Sequence, residues 1–169
     1  MQKNVPITIR RMRKSDLAQA VEIHAKTFDR QTRSQEWLEC NFNAWPRILS
    51  YVAAKPNICF GYILWNQKSG FRSDVVIELE QVAVAPEFRG QGIGRNLIEA
   101  SLSDIRAHLS THGATIKHIV VSTRKDNDAQ RLYRSALGAE VEAVLSDLYS
   151  ADEVIMIARH PGQDECLSD

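Results

Sequence analysis

The sequence predicts an α+β fold built on a mixed sheet, and three observations carry that expectation. Short runs rich in β-branched and aromatic residues follow one another with hairpin signals between them. Longer stretches with apolar residues at helical spacing interrupt these runs. No segment repeats or reads as a linker, so the order β-α-α-β-β-β-α-β-α-β-β is expected within one domain over 1–160. At 169 residues the chain is long enough for a substantial core and short for two ordinary domains.

Taken in order, VPITIR (5–10) alternates apolar and polar residues as a short strand does, and Ser15 or Asp16 then offers an N-cap to the helix DLAQAVEIHAKTF. Leu17, Ala20, Val21, His24 and Phe28 recur there at helical spacing. A second helix is expected over SQEWLECNFNAW (34–45), ended by Pro46. ILSYVAA (48–54) and ICFGYILWN (58–66), parted by KPN, read as a hairpin, and KSG (68–70) turns the chain into VVIELEQVAV (75–84). A long helix runs from about Gly92 to His112, with Ile93, Leu97, Ile105 and Leu109 on one stripe and Gly113 past its end. IKHIVVST (116–123) reads as a buried strand, DAQRLYRSALG (128–138) as a helix closed by glycine, and EVEAVLSDLY with DEVIMIAR as a last pair of strands. The tail 161–169 is expected to be mobile.

Composition narrows the function classes. Lys and Arg number 21 against 21 Asp and Glu, which leaves no net charge to favour nucleic acid or an anionic membrane. No apolar run approaches the roughly 18 residues that a spanning helix needs. Cys40, Cys59 and Cys166 form no paired spacing and the N-terminus lacks a signal-peptide core, so a cytoplasmic protein with reduced thiols is expected. His108 and His112 lie four apart on a helix, yet no third ligand accompanies them and no metal is expected. The basic run RRMRK (10–14) reads as a solvated face. Self-association as a homodimer is left open.

The turn PEFRGQGIGR (86–95) sets three glycines and two arginines between an apolar strand and a helix. Glycines so close together bare the backbone, which is costly unless something must approach it. The first turn of a helix offers unpaired N–H groups and partial positive charge, so residues 90–95 can cradle a pyrophosphate, with Arg89 and Arg95 adding charge. A dinucleotide fingerprint from Gly90 would need glycine or alanine where Arg95 stands, and a Walker loop would need a GK pair that is absent.

What remains is Arg89-x-x-Gly92-x-Gly94, and VAVAPEFRGQGIGRNLI resembles motif A of the GCN5-related N-acetyltransferase (GNAT) superfamily almost position for position. The resemblance implies a mostly antiparallel sheet flanked by helices, and acetyl-CoA as cosubstrate with its pyrophosphate on Arg89, Gly90, Gln91, Gly92, Ile93, Gly94 and Arg95. It further implies that the backbone of Val82, Ala83 and Val84 pairs with the pantetheine arm like an added strand.

Acetyl transfer to an amine needs a neutral nucleophile and a proton for the departing thiolate. Period two along the strand puts Glu78, Glu80, Val82 and Val84 on one face, and either glutamate can serve as base, with the family's register favouring Glu78. NDAQRLYRSALGA resembles the family's motif B, which implies that Asn127 and Tyr133 adjoin the cofactor and that Tyr133 is the acid. Asn127 and Tyr133 are six apart where the family sets seven, the seven-apart position being Asp126. If Tyr133 keeps its register, an extra residue lies in SAL and Asp126 approaches the anionic cofactor. The aromatics Trp37, Phe42 and Trp45 lie where the family forms part of its acceptor pocket, although a helix packing them into the core explains them as well.

The expectation is an acetyl-CoA-dependent N-acetyltransferase acting by direct attack of a primary amine, with a non-catalytic acyl-CoA-binding module as the alternative. The acceptor is a small molecule or a peptide N-terminus. The C-terminal DLYSADEVIMIAR resembles the end of the ribosomal-protein alanine N-acetyltransferases, which gives Tyr149 a substrate role under the second choice.

Overall fold

A computed structural model of the chain describes residues 6–161. Residues 1–5 and 162–169 lie outside the described residues, and with them Val5 of the expected first strand, Cys166, and all of the expected mobile tail except Pro161. The elements follow the expected order: β1 (Thr8–Arg11), α1 (Leu17–Thr27), α2 (Ser34–Asn43), β2 (Ile48–Lys55), β3 (Ile58–Gln67), β4 (Asp74–Val84), α3 (Ile93–Ser110), β5 (Thr115–Arg124), α4 (Ala129–Leu137), β6 (Glu140–Leu145) and β7 (Glu153–Arg159). Hydrogen-bonded strands run β1-β2-β3-β4-β5-β7-β6, so the fold is the mixed, mostly antiparallel sheet with flanking helices.

The chain divides into two compact units, one made of the chain up to Asn66 with Glu80–Ile105, the other of Gln67–Leu79 with the chain from Arg106 onward. In the first, β1, β2 and β3 pair antiparallel, with Thr8 opposite Ala54 and Tyr51 opposite Ile63. Alternation along the strands then builds two apolar faces. Val52, Tyr62, Leu64 and Ala83 pack with Leu17, Ala20 and Ile23 of α1 and Leu38 of α2. Tyr51 and Trp65 face the other way and bind α3, Tyr51 through its hydroxyl to Asp104 at 2.7 Å and Trp65 through its indole N–H to Ser101 at 2.8 Å.

In the second unit β4 and β5 pair in parallel from Asp74↔Thr115 to Leu79↔Val121, and β5 pairs antiparallel with β7. Helix α4 buries Tyr133 and Leu137, four residues apart on one face, and ends at Gly138 with φ +67°. A residue with that φ accepts glycine at least cost, which is why the helix stops there. Strand β6 pairs with β7 at the end of the strand order and is exposed along its length.

Several element ends differ from expectation for local reasons. The carboxylate of Asp16 does not cap α1: it accepts from the Arg13 N–H at 2.7 Å and from both terminal nitrogens of Arg10. The basic run is therefore partly structural, and Arg11 continues the pattern by pairing with Asp104 and lying over the Trp45 ring.

Gly61 on β3 fixes how closely β3 approaches β4. A Cβ there would lie 2.6 Å from the Ala83 carbonyl oxygen and 3.2 Å from Val84 Cα, both backbone atoms that cannot rotate away. Gly61→Ala is expected to destabilise the protein by about 1–3 kcal/mol in urea unfolding. An unchanged midpoint would show that the two strands are not packed this closely.

Candidate active site

Strand β4 is sorted by parity. Val75, Ile77, Leu79, Gln81 and Ala83 are buried, while Glu78, Glu80, Val82 and Val84 are half-buried on the opposite face. The parallel ladder to β5 ends at Leu79, so among the described residues the last five residues of β4 run on without that neighbour. Lys68 donates to Glu78 Oε2 at 2.8 Å, and the Cα of Glu78 lies opposite Val120 within the ladder. Glu80 is the first residue beyond it.

The chain then turns into α3. The Ala85 N–H donates to Phe60 O at 2.9 Å, and a 3₁₀ turn, Pro86–Phe88, is held by the T-shaped packing of Phe88 with Phe60, ring centroids 4.7 Å apart. Gly90 and Gly92 have φ +75° and +77°, the left-handed region that disfavours side chains. A Cβ built on either meets nothing within 4 Å. These glycines are thus required by the backbone path, and the space above the turn is clear of protein. Asn96 N–H donates to Gly92 O at 3.0 Å as α3 begins, and the first turn of a helix presents amides that have no carbonyl one turn back. Open amides, positive helix end and clear approach fit a pyrophosphate.

Arg89 and Arg95 are placed differently from each other. Arg89 donates from Nε to Val84 O at 3.1 Å and from a terminal nitrogen to Thr27 Oγ1 at 3.3 Å, so it ties the turn to the end of β4 and to α1. Arg95 pairs with Glu99 one helical turn on, at 3.1 Å.

In the second unit Tyr133 is buried, and burial pushes its phenol up to about 12. It therefore keeps its proton throughout the neutral range. Asn127 donates to Thr123 Oγ1 at 2.9 Å and accepts from Ala129 N–H at 2.9 Å, joining the end of β5 to the start of α4. Asp126 is held by Arg124 through two hydrogen bonds, and α4 runs from Ala129 to Leu137 as a continuous helix. Tyr149 is exposed in the loop between β6 and β7.

A buried polar cluster in the first unit was not foreseen. Gln81 Oε1 accepts from Trp37 Nε1 at 2.9 Å and from the Tyr62 hydroxyl at 3.2 Å, and Gln81 Nε2 donates to Gln31 Oε1 at 3.1 Å. His24, wholly buried, lies 3.0 Å from Gln31 Oε1 through Nε2 and 2.9 Å from Ser34 Oγ through Nδ1. Since the Gln31 oxygen can only accept, Nε2 carries the imidazole proton and Nδ1 accepts from the serine. The available signals were a glutamine on the buried parity of β4 and a histidine inside the apolar stripe of α1. Neither residue type announces a partner.

Desolvation holds the His24 imidazole below its ordinary range, against a smaller opposing effect of Gln31. The folded state thus favours neutral His24, and its contribution to stability is full above the unfolded value, near 6.5, and lost as pH falls below it. Between pH 7.5 and 5.5 the wild type is expected to lose more unfolding free energy than His24→Gln, as urea unfolding at the two pH values would show. Equal losses would mean that His24 titrates alike folded and unfolded.

Comparison with known proteins identifies the family. The model of the acetyltransferase (GNAT) family matches residues 17–139, and the chain belongs to that family. No curated protein sequence matches it well enough to count as a relative. Among solved structures, a chain of the NatC complex bound to Gag peptide and CoA has TM-score 0.72 and 18% identity, covering 92% of this chain and 99% of that one. The ribosomal-protein-S18-alanine N-acetyltransferase from Escherichia coli has TM-score 0.68 and 20% identity over 96% and 99% of the two chains. An aminoglycoside 6'-N-acetyltransferase complexed with coenzyme A has TM-score 0.69 and 14% identity over 90% and 96%. At these identities the likeness is one of fold.

Proposed function

We propose that this protein transfers an acetyl group from acetyl-CoA to a primary amine by direct attack. The observation that carries the reading is the open glycine turn at the N-terminus of α3, directly after the stretch of β4 that runs on beyond its ladder with β5. When bound, acetyl-CoA would supply the acetyl group as an activated thioester. The amides of residues 90–95 would hold its diphosphate, and Val82, Ala83 and Val84 would offer backbone groups to its amide-bearing arm.

The amine must lose a proton before or as it attacks. Either β4 glutamate can serve as the base: Glu78, whose Oε2 accepts from Lys68, stands within the β4–β5 ladder, and Glu80 is the first residue beyond it. The motif B resemblance gives Tyr133 the role of donor to the leaving sulfur, and its buried phenol is protonated at neutral pH. A phenol near 12 is a weaker acid than an ordinary thiol near 8.5. Tyr133 therefore works as a hydrogen-bond donor that stabilises developing charge, with full proton transfer following only as solvent admits it. The acceptor classes in view are a small amine and a peptide N-terminus, with Tyr149 exposed to meet the latter.

Free-thiol release from acetyl-CoA against a panel of amines, amino acids, aminoglycosides and N-terminal peptides is the direct test. Acceptor-dependent release establishes the activity and its substrate class. Coenzyme A binding without release from any acceptor would instead support a binding module.

In the kinetic series, Tyr133→Phe is expected to lower kcat roughly 10²-fold, as is whichever of Glu78→Gln and Glu80→Gln removes the base, with coenzyme A affinity little changed. Unaltered turnover in Tyr133→Phe would remove that phenol from the chemistry. Separately, Gly92→Glu places a carboxylate and a strained φ in the cradle, and calorimetry is expected to show coenzyme A binding lost while the fold persists by circular dichroism. Retained binding would show that the diphosphate lies elsewhere.

A further inference from the structure

In the second unit the sheet carries two unlike faces. Ile77 and Leu79 of β4, Ile119 and Val121 of β5, and Met156 and Ala158 of β7 are buried on one of them. The alternate positions on the other face stay half-buried or exposed. There Val76 stands opposite His118, Glu78 opposite Val120, and His118 in turn opposite Arg159. Residues opposite one another in a ladder share a face, so Glu78, His118 and Arg159 stand on the same open side of three adjacent strands.

Positive charge converges on His118. Its ring packs T-shaped against that of His160, centroids 5.2 Å apart. Loss of water first, then the charges of His160, Arg159 and Lys117, hold the imidazole below its ordinary range. Its Nδ1 is buried without a hydrogen-bond partner, so the ring proton belongs on Nε2. Arg159 donates to Glu142 at 2.7 Å, but the two side chains are 54% and 52% exposed, and an ion pair in that setting holds its members weakly. The guanidinium can therefore exchange a carboxylate of the protein for one of a ligand. On the neighbouring strand Glu78 has the opposite sign, and Lys68 takes one of its oxygens at 2.8 Å, which leaves the second for an ammonium. Adjacent strands lie about 4.8 Å apart and two residues span about 6.6 Å, so Glu78 and His118 leave the sheet about 8 Å from each other. They occupy one diagonal of a square whose other diagonal is Val76 and Val120. With both side chains reaching inward, that interval suits an ammonium and a carboxylate a few bonds apart, over an apolar floor.

Resting on the acetyltransferase reading, we propose that His118 and Arg159, with His160 beside them, form an oxyanion subsite for the acceptor, and that the preferred acceptors are small amino acids with a free carboxylate. The carboxylate meets the Nε2 proton of His118 and the guanidinium of Arg159, and the amine lies on the Glu78 side. Charge-assisted hydrogen bonds of this kind are the strong ones, which suits them to selecting a charged group over a neutral one of the same shape.

The test compares amino acids with their own amides, pairs that differ in charge and hardly in size, by the ratio of kcat/KM values referred to the unprotonated amine. The wild type is expected to favour the acids roughly 10-fold or more. His118→Gln and Arg159→Gln are each expected to remove most of that preference, through acceptor KM. Glu142→Gln acts in the other direction: by taking away the competing carboxylate it is expected to raise the preference about twofold, a gain that damage to the fold would not produce. Binding is read separately by NMR. Alanine added to the wild type with coenzyme A is expected to move the His118 ring titration upward by about half a pH unit, and alaninamide to leave it in place. Equal rates for acids and amides in the wild type, a preference untouched in both His118→Gln and Arg159→Gln, or a His118 titration that alanine does not move overturns the subsite while leaving the enzyme reading intact. Failure of the wild type to bind coenzyme A, or to release thiol with any amine, overturns the enzyme reading and this proposal with it.

Discussion

The strand β4 must be held in register along its whole length while its last five residues lose the neighbour that its first six possess. Parity supplies the first condition. Every odd residue from Val75 to Ala83 is buried, so a slip by one position would bring Glu78, Glu80 and Val82 into the core. The ladder to β5 meets the second condition by stopping at Leu79. Close packing reinforces the hold, since Gly61 on β3 lets the backbone of Ala83 and Val84 come near enough that even one methyl group would clash. Backbone groups, whose identity no side chain determines, can serve a ligand only when their position is this well constrained.

From that strand the geometry of the turn follows. Ala85 is pinned to Phe60, the 3₁₀ turn is wedged by Phe88, and Arg89 folds back on the Val84 carbonyl. Only then do the two positive φ values at Gly90 and Gly92 swing the chain into α3 with its first amides uncovered. An arginine in such a motif is easily assigned to the phosphates as a point charge. In this structure its guanidinium also serves as an internal brace linking β4, the turn and α1, so loss of Arg89 would affect both charge and shape.

Much of this was legible in the sequence, and the parts that were not share a cause. The element order, the parity of β4 and the glycine turn are local: strand alternation, helical stripes and positive φ are each written within about ten residues. The resemblance to the acetyltransferase motif is equally local, being carried by Arg89, Gly92 and Gly94. By contrast, the Gln81 cluster joins residues 50 positions apart, Gln31 to Gln81, with His24 reached through Gln31, and no single-segment pattern encodes such a pairing. His24 sat within an apolar stripe and passed as one more core position. Asp16 illustrates the same limit at short range, because its sequence context fitted an N-cap while Arg10, six residues upstream, took its carboxylate.

The polar cluster and the apolar core beside it also differ in how they answer change. Leu17, Ile23 and Leu38 can exchange methylenes with their neighbours at moderate cost, because dispersion is shared over many contacts. Gln81 has no such latitude: each of its two polar atoms has assigned partners, and replacement by an apolar isostere would strand Trp37, Tyr62 and Gln31 at once. Glutamate would be no substitute, since it would present a buried charge and forfeit the donation to Gln31.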